Sequence, residues 1–300
     1  MKVLSECRAK GVKVCVIFTS DSDSMSPTGT YGLGELISNF ISKAGGPRIV
    51  GPNCIGVYCS RSGVAFTPNF PKEPGKVAFI SQSGGFAAEL GWFGARIGLR
   101  FSKIVSYGNA VDLDLPDFLA YFREDSDTGV VAVYVEGVKD GRRTFKELTV
   151  KKPVLVWKGG ITEEGAKAAL SHTQSLAGSA TLWSTMLKQA GAIQVESFEG
   201  LAYTSIAFSF YKPPVDNSVA IVSVSGGGAV ASADTCTREG LLITRLSDTT
   251  INALRRVVPR FGTSIRNPVD AQRGALSPEA CSEVLRIVLS DLNVSAVILV

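Results

Sequence analysis

Short apolar runs alternate along the chain with stretches whose apolar residues recur at helical spacing. Val12–Phe18 is a compact apolar run that predicts a strand, and the polar stretch Thr19–Thr30 predicts a loop. Leu33, Leu36, Ile37, Phe40 and Ile41 share one face of a predicted helix over Leu33–Lys43, stopped by Gly45 and Gly46. Arg48–Val50 opens another short strand, ending at Gly51-Pro52-Asn53. Strands alternating with helices predict an α/β protein with parallel sheets, beginning with the back half of a doubly wound domain. Its opening strand and first βα turn are missing from the sequence. At the other end, Ser295–Val300 reads as a strand in progress, a poor terminus for an open sheet if left unpaired. The chain is therefore expected to be a piece of a longer gene product. Pro68–Gly75, with three prolines, and Lys212–Asn217, with two, read as linkers. They divide the chain into residues 1–70, 71–212 and 213–300.

An internal repeat organises the rest. Val77-Ala78-Phe79-Ile80-Ser81-Gln82-Ser83-Gly84-Gly85 matches Val219-Ala220-Ile221-Val222-Ser223-Val224-Ser225-Gly226-Gly227, 142 residues further on. The match carries through to Gly98-Leu99 and Gly240-Leu241, where each following helix ends. Asn109-Ala110-Val111-Asp112 resembles Asn267-Pro268-Val269-Asp270 at a larger offset. The period is far too long for a solenoid, so two related α/β domains stand in tandem. In each copy a buried parallel strand runs into a Ser-x-Ser-Gly-Gly turn and then a helix. Small residues leave the first helical N–H groups uncovered, and these together with the helix dipole favour an anion. Ser81, Ser83, Gly84 and Gly85, with Ser225, Gly226 and Gly227, are thus candidate phosphate-binding residues. One such turn is better explained by close packing of a helix on a sheet; two copies in one chain, whose helix ends could face one phosphate, raise the case for binding. No Lys follows the glycines and neither turn is G-x-G-x-x-G, so neither a P-loop nor a dinucleotide fingerprint is present.

Composition narrows the chemistry. The chain has 45% hydrophobic and 19% charged residues, which excludes disorder. Lys+Arg 31 against Asp+Glu 27 leaves a small, scattered surplus of +4, and no nucleic-acid partner is indicated. The six cysteines have no CxxC pair and none lies beside the histidine, so no metal is expected, and reduced thiols are favoured over a disulfide framework. The N-terminus lacks the apolar core of a signal peptide, and the apolar runs, such as Val130–Val135 and Val294–Val300, are too short to span a bilayer. A soluble, cytoplasmic protein without membrane contact is expected.

The chain has one histidine, His172. Small and polar residues surround it, and the next clear helix begins near Ala180, so it is expected on a loop. A lone loop histidine is ordinarily solvated or caps a helix. Here the loop is rich in Ser, Thr, Ala and Gly, as suits a mobile segment, and the chain offers two candidate phosphate cradles. A neutral imidazole attacks phosphorus and gives a phosphoramidate of high transfer potential, a covalent intermediate that splits one hard step into two. Such an imidazole needs a partner to hold its tautomer. Glu136, at the end of the apolar run Val130–Val135, is placed where such folds bind ligands; an ordinary solvent-exposed strand-end acid is the alternative.

These residues resemble a family. Arg48–Gly56 (RIVGPNCIG), Lys76–Gly85 (KVAFISQSGG), Phe101–Asn109 (FSKIVSYGN), Val131–Val138 (VAVYVEGV), Ser171–Ser179 (SHTQSLAGS), Ser223–Gly228 (SVSGGG) and Asn267–Asp270 (NPVD) are similar to the α-type part of NDP-forming acyl-CoA synthetases. The likeness is to the acetate–CoA ligase (ADP-forming) group, acid–thiol ligases distantly related to succinate–CoA ligase. As a set, in this order and over nearly the whole chain, the motifs are specific. The resemblance implies the rear of a CoA-binding Rossmann-like domain followed by two flavodoxin-like ligase domains, the second incomplete. It implies phosphorylation of His172, a hydrogen bond from its imidazole N–H to Glu136, a phosphate on the Ser81–Gly85 turn with Ser225–Gly227 as the corresponding turn, and part of a CoA pocket at Pro52, Asn53 and Cys54. It also implies that CoA and phosphate are substrates, that acyl-CoA is the small-molecule partner, and that Mg-ADP/ATP binds on an ATP-grasp β domain or subunit in a homo- or hetero-oligomer. Gln174 departs from the family's usual Gly after His-Thr, which puts the loop's freedom in question. The family's Gly-rich CoA turn at the front of the first domain is also absent, so this stretch alone is expected to bind CoA poorly. A catalytically reduced, acyl-CoA-sensing region of a protein acetyltransferase or other regulatory protein is the runner-up, and a flavodoxin-like binding or structural protein the third reading.

Overall fold

A computed structural model of the chain describes residues 1–20, 32–44, 46–149, 152–173, 178–211, 214–259, 262–271 and 277–300; the side chains of 43–44 and 170–173 lie outside that description. The chain divides into Met1–Tyr211 and Lys212–Val300.

The first unit opens with α1 (Lys2–Ala9), β1 (Val14–Val16), α2 (Leu33–Ala44) and β2 (Arg48–Val50). β1 and β2 pair in parallel, with Val14 opposite Arg48. The apolar stripe of α2 closes this layer: Ile37 is buried with Leu4 and Ile49, and Leu33, Phe40 and Ile41 pack against them. Leu36, which the spacing placed on the same face, is exposed. It lies at the margin of the stripe centred on Leu33, Ile37 and Phe40.

A seven-stranded sheet follows, in the order β4-β3-β6-β5-β7-β8-β9. Its strands are β3 (Gly56–Cys59), β4 (Val64–Ala65), β5 (Val77–Ser81), β6 (Phe101–Ser106), β7 (Val130–Val135), β8 (Val154–Lys158) and β9 (Ile193–Val195). β5 to β9 are parallel; β3 runs antiparallel to both β4 and β6. The hairpin β3–β4 precedes the proline-rich segment 68–75, yet Tyr58 pairs opposite Ile104, so the sheet takes in residues from 56 onward. The helices are α3 (Gly84–Arg96), α4 (Leu115–Glu124), α5 (Gly141–Leu148), α6 (Glu163–Thr173), α7 (Ala180–Ala190) and α8 (Phe198–Phe210). Alternation along the strands sends side chains to two cores. Val131, Val133, Val135, Val154 and Val156 pack under α4, α5 and α7, with Phe122, Leu148 and Leu187. Ala132, Tyr134 and Leu155 pack under α3 and α8, with Leu90 and Leu201. Each such large apolar side chain taken out of water stabilises the sheet by roughly 1.5–3 kcal/mol.

His172 departs from the sequence expectation: it lies in the last turn of α6 rather than on a loop. Ala168 and Ala169 read as small, loop-like residues, but alanine is the strongest helix former. Glu163 and Glu164 in the first turn suit the helix dipole, and Lys167 pairs with them at 2.9 and 3.1 Å. Gln174 lies outside the described residues.

In the second unit, β10 (Ser218–Ser223) is flanked in parallel by β11 (Leu242–Ile243), β12 (Val269–Asp270) and β13 (Ala296–Leu299). Val219 pairs with both Ile243 and Ala296, and Val222 with both Val269 and Leu299, so β11 and β12 lie on one side of β10 and β13 on the other. The terminal strand is therefore paired along its length. The helices α9 (Gly226–Arg238), α10 (Asp248–Val257) and α11 (Pro278–Leu289) complete the unit. Among the described residues, no helix is long and apolar enough to cross a membrane.

Candidate active site

The two Ser-x-Ser-Gly-Gly turns are built alike. Ser81 Oγ donates to the Ser83 carbonyl at 2.6 Å, and Ser223 Oγ to the Ser225 carbonyl at 2.7 Å. Ser83 caps α3 by accepting from the Phe86 N–H at 3.3 Å, and Ser225 caps α9 by accepting from the Gly228 N–H at 3.1 Å. In α3 the cap leaves the N–H groups of Gly84 and Gly85 at the dipole's positive end. Packing explains the first glycine of the pair: a Cβ on Gly84 would lie 2.9 Å from Ile55 Cγ2, and one on Gly226 would lie 3.2 Å from the Asp270 carboxylate. It does not explain the second. A Cβ on Gly85 would meet only Ser83 Oγ, at 3.7 Å, and one on Gly227 nothing within 4 Å. A position open to solvent and kept bare of side chain is what an N–H group offered to a ligand requires. The two turns belong to separate units, and Asp270 gives the second a carboxylate of its own beside the helix start.

Replacing Ser83 tests the cap directly. Ser83→Ala is expected to lower stability by about 1 kcal/mol and Ser83→Gly by only a few tenths. Urea unfolding that shows no loss for the alanine variant contradicts the cap.

Glu136 lies one residue past β7, 6% exposed. Its position is fixed through the backbone. Gln82, the middle residue of the first turn, donates its own N–H to the Tyr134 carbonyl at 3.0 Å. Its side-chain oxygen accepts from the N–H groups of Glu136 at 2.8 Å and Gly137 at 3.2 Å. The phosphate-turn candidate and the strand-end acid are thereby one structure. The Glu136 carboxylate accepts from the Tyr134 hydroxyl at 3.2 Å, and burial together with that neighbouring charge pushes the phenol well above its ordinary range. Gly159 makes room for the phenol, since a Cβ there would lie 2.6 Å from the Tyr134 hydroxyl. Phe86 and Trp157 hold the Tyr134 ring at centroid distances of 4.7 and 4.8 Å. Lys158, at the end of β8, donates from Nζ to the Glu136 carbonyl at 2.8 Å and to the Gly159 carbonyl.

Gln82, Tyr134 and Lys158 escaped the sequence reading. A signal for Gln82 was present: its counterpart in the second copy is Val224, so the turns differ at the position that clasps Glu136. Lys158 ends the apolar run Val154–Trp157 as Glu136 ends Val130–Val135, and the same strand-end reasoning reaches it.

The loop Pro52–Cys54 runs into Ile55, which packs against Gly84 of the first turn. Asn53, at φ 58, donates its side-chain N–H to Asn109 Oδ1 at 3.2 Å, and the Pro52 carbonyl accepts from the Asn109 N–H at 3.0 Å. Ile55, which limits Gly84, takes Ser106 Oγ on its N–H at 3.2 Å. Cys54 is buried, its thiol donating to the Ile17 carbonyl at 3.3 Å, and burial pushes that thiol up. Its sulfur therefore packs in the core, and any ligand contact at this residue runs through the backbone. Gly108, at φ +56, closes on this loop: a Cβ would lie 2.1 Å from the Asn53 carbonyl oxygen and 2.2 Å from that of Pro52. Gly108→Ala is expected to cost on the order of 3 kcal/mol, from positive φ plus backbone overlap. Thermal unfolding within a degree of the parent contradicts the close approach.

Residues 74–208 match the family described as succinyl-CoA ligase like flavodoxin domain, and residues 219–300 match the Ligase-CoA domain. The chain is 36% identical over 301 residues to the Acetate--CoA ligase [ADP-forming] II subunit alpha of Pyrococcus furiosus, covering 99% of this chain and 65% of that one. It is 36% identical over 280 residues to the 4-hydroxybutyrate--CoA ligase [ADP-forming] of Nitrosopumilus maritimus, covering 89% of this chain and 39% of that one. Among solved structures, the dinucleotide forming acetyl-coenzyme A synthetase 1 of Ca. Korarchaeum cryptofilum, in complex with phosphate and ADP, superposes with a TM-score of 0.86 at 31% identity. That match covers 99% of this chain and 64% of the other. The chain thus spans about two thirds, or less, of the proteins it matches.

Proposed function

The chain belongs to the NDP-forming acyl-CoA synthetases as a stretch of their α-type part, and from that premise we propose that it carries the phosphoryl relay of an ADP-forming acid–CoA ligase. In this reading residues 1–70 complete a CoA-binding domain, 71–212 hold the relay, and 213–300 form the second ligase domain. Acyl-CoA and phosphate give acyl phosphate and CoA; His172 takes the phosphoryl group as the P–O bond to the acyl group breaks and the free acid leaves; ADP, with Mg²⁺ on an ATP-grasp partner, receives the phosphoryl group and frees the imidazole. Each step is reversible.

The observation that carries the reading is the clasp of Glu136 by Gln82. It fixes a carboxylate next to a turn that offers bare N–H groups, at the carboxyl ends of parallel strands. The roles follow from chemistry. The N–H groups of Gly84 and Gly85 neutralise phosphate oxygens as charge redistributes. The Glu136 carboxylate orients the His172 imidazole so that one nitrogen is free to attack, and it stabilises the ring once cationic. Pro52–Cys54 contribute backbone to the CoA side. Catalysis then rests on positioning and charge compensation, as in phosphoryl transfer generally.

The test uses the full-length protein with its nucleotide-binding partner, Mg²⁺ and γ-labelled ATP. A base-stable, acid-labile label on the α-type chain, discharged by ADP, is the expected result. No label, with acyl-CoA binding intact, replaces this reading with that of an acyl-CoA sensor.

A further inference from the structure

Lys158 is 3% exposed and, among the described residues, forms no ion pair. Alternation along β8 places its side chain on the same face as Val154 and Val156, towards α7. The Glu136 side chain shares the opposite face with Tyr134. The ammonium thus reaches Glu136 from beneath, through the backbone: Nζ donates to the Glu136 carbonyl at 2.8 Å and to the Gly159 carbonyl. It also lies 5.5 Å from the centre of the Trp183 ring. On that ring's edge sits Gly178, at φ +69, where a Cβ would lie 3.4 Å from Trp183 Nε1. Gly178 is the first described residue after the segment that follows His172. A buried ammonium held by carbonyls, with no carboxylate in direct contact, is expensive, and an apolar side chain of similar length would fill the space at less cost. Its presence calls for a task that needs the charge.

We propose that Lys158 is a positioning residue of the relay, locking the Glu136 backbone and seating Trp183 against the carboxyl-terminal root of the histidine segment. The proposal rests on the acyl-CoA synthetase reading and adds to it a group that touches no substrate. Protonation is essential to the task. A neutral amine keeps donors but loses the attraction to the Trp183 ring and to the carbonyl dipoles. Burial lowers the Lys158 pKa from 10.5 to about 8, opposed by the Glu136 charge. Glu136, from the end of β7, is the charged group acting on it; α7 presents the Trp183 ring, and Ile193, Gln194 and Val195 of β9 bring no ionisable side chain.

The experiment measures phosphohistidine formation against pH in the full-length protein with its partner, for the parent, Lys158→Arg and Lys158→Met. It adds a pH titration of Trp183 emission, isolated by subtracting the signal of Trp183→Phe. The parent is expected to lose rate with an apparent pKa near 8, and its Trp183 emission to titrate at the same pH. Lys158→Arg, whose guanidinium stays charged, is expected to retain rate and carry the alkaline limb upward by a unit or more. Lys158→Met is expected to be about tenfold slower at neutral pH, with KM for acyl-CoA little changed and no limb near pH 8, as for lost positioning rather than lost binding. An alkaline limb at the same pH in all three proteins overturns the proposal, as does Trp183 emission that ignores pH in the parent. Absence of phosphohistidine in the parent with the Trp183 titration intact overturns the synthetase reading, and the relay role with it.

Discussion

His172→Ala is expected to abolish the acid-labile phosphoryl label and to reduce turnover by a factor on the order of 10⁴ or more, the scale of removing a covalent nucleophile. His172 is the only histidine in the chain, so no neighbouring imidazole substitutes for it. Acyl-CoA binding, which we propose to involve Pro52–Cys54, should survive within severalfold. The measurement is turnover together with intact-mass analysis of the protein under turnover. An alanine variant that still carries the modification sinks the proposed relay.

Glu136→Gln is expected to slow phosphohistidine formation about 10³-fold while leaving the fold unchanged, by analogy with amide replacement of the orienting acid in a catalytic triad. The amide keeps the shape of the acid. Its oxygen still accepts from the Tyr134 hydroxyl, and the backbone bonds to Gln82 and Lys158 do not involve the side chain. The loss is therefore one of charge. A carboxylate near an imidazole raises its pKa, so removing the charge lowers it. The acid limb of the pH–rate profile, where His172 protonates and loses its nucleophilic lone pair, should move to lower pH in the variant. An unchanged rate, or an acid limb that stays in place, separates Glu136 from the histidine. Stability should hold, and equal loss of stability and rate points to a structural role instead.

Much of the candidate site's local geometry was legible because it is local. Ser81–Gly85 and Ser223–Gly227 announce a turn, a cap and bare N–H groups within five residues, and the structure builds both turns with the same two hydrogen bonds. Glu136 was legible as the charge that ends an apolar run. His172 was identified as a residue but misplaced in conformation. Small residues around it suggested a loop, whereas alanines and a charged first turn carry α6 through it. Leu36 shows a related limit: spacing names the residues near an apolar stripe but not which of them the neighbouring strand covers.

What the amino-acid sequence determined by itself was the set of parts: parallel α/β layers, duplicated turns, one histidine and a strand-end acid. Periodicity and turn chemistry act between residues a few positions apart and need no knowledge of sheet order. The tertiary structure alone decided the partnerships. Gln82 clasps Glu136 across 54 residues and Lys158 reaches it across 22, because β7 lies between β5 and β8 in the sheet. Gly84 and Gly108 must be bare because loops distant in sequence close on them. Strand order sets which ends meet, and it is settled by the packing of whole layers, which no local window of sequence contains.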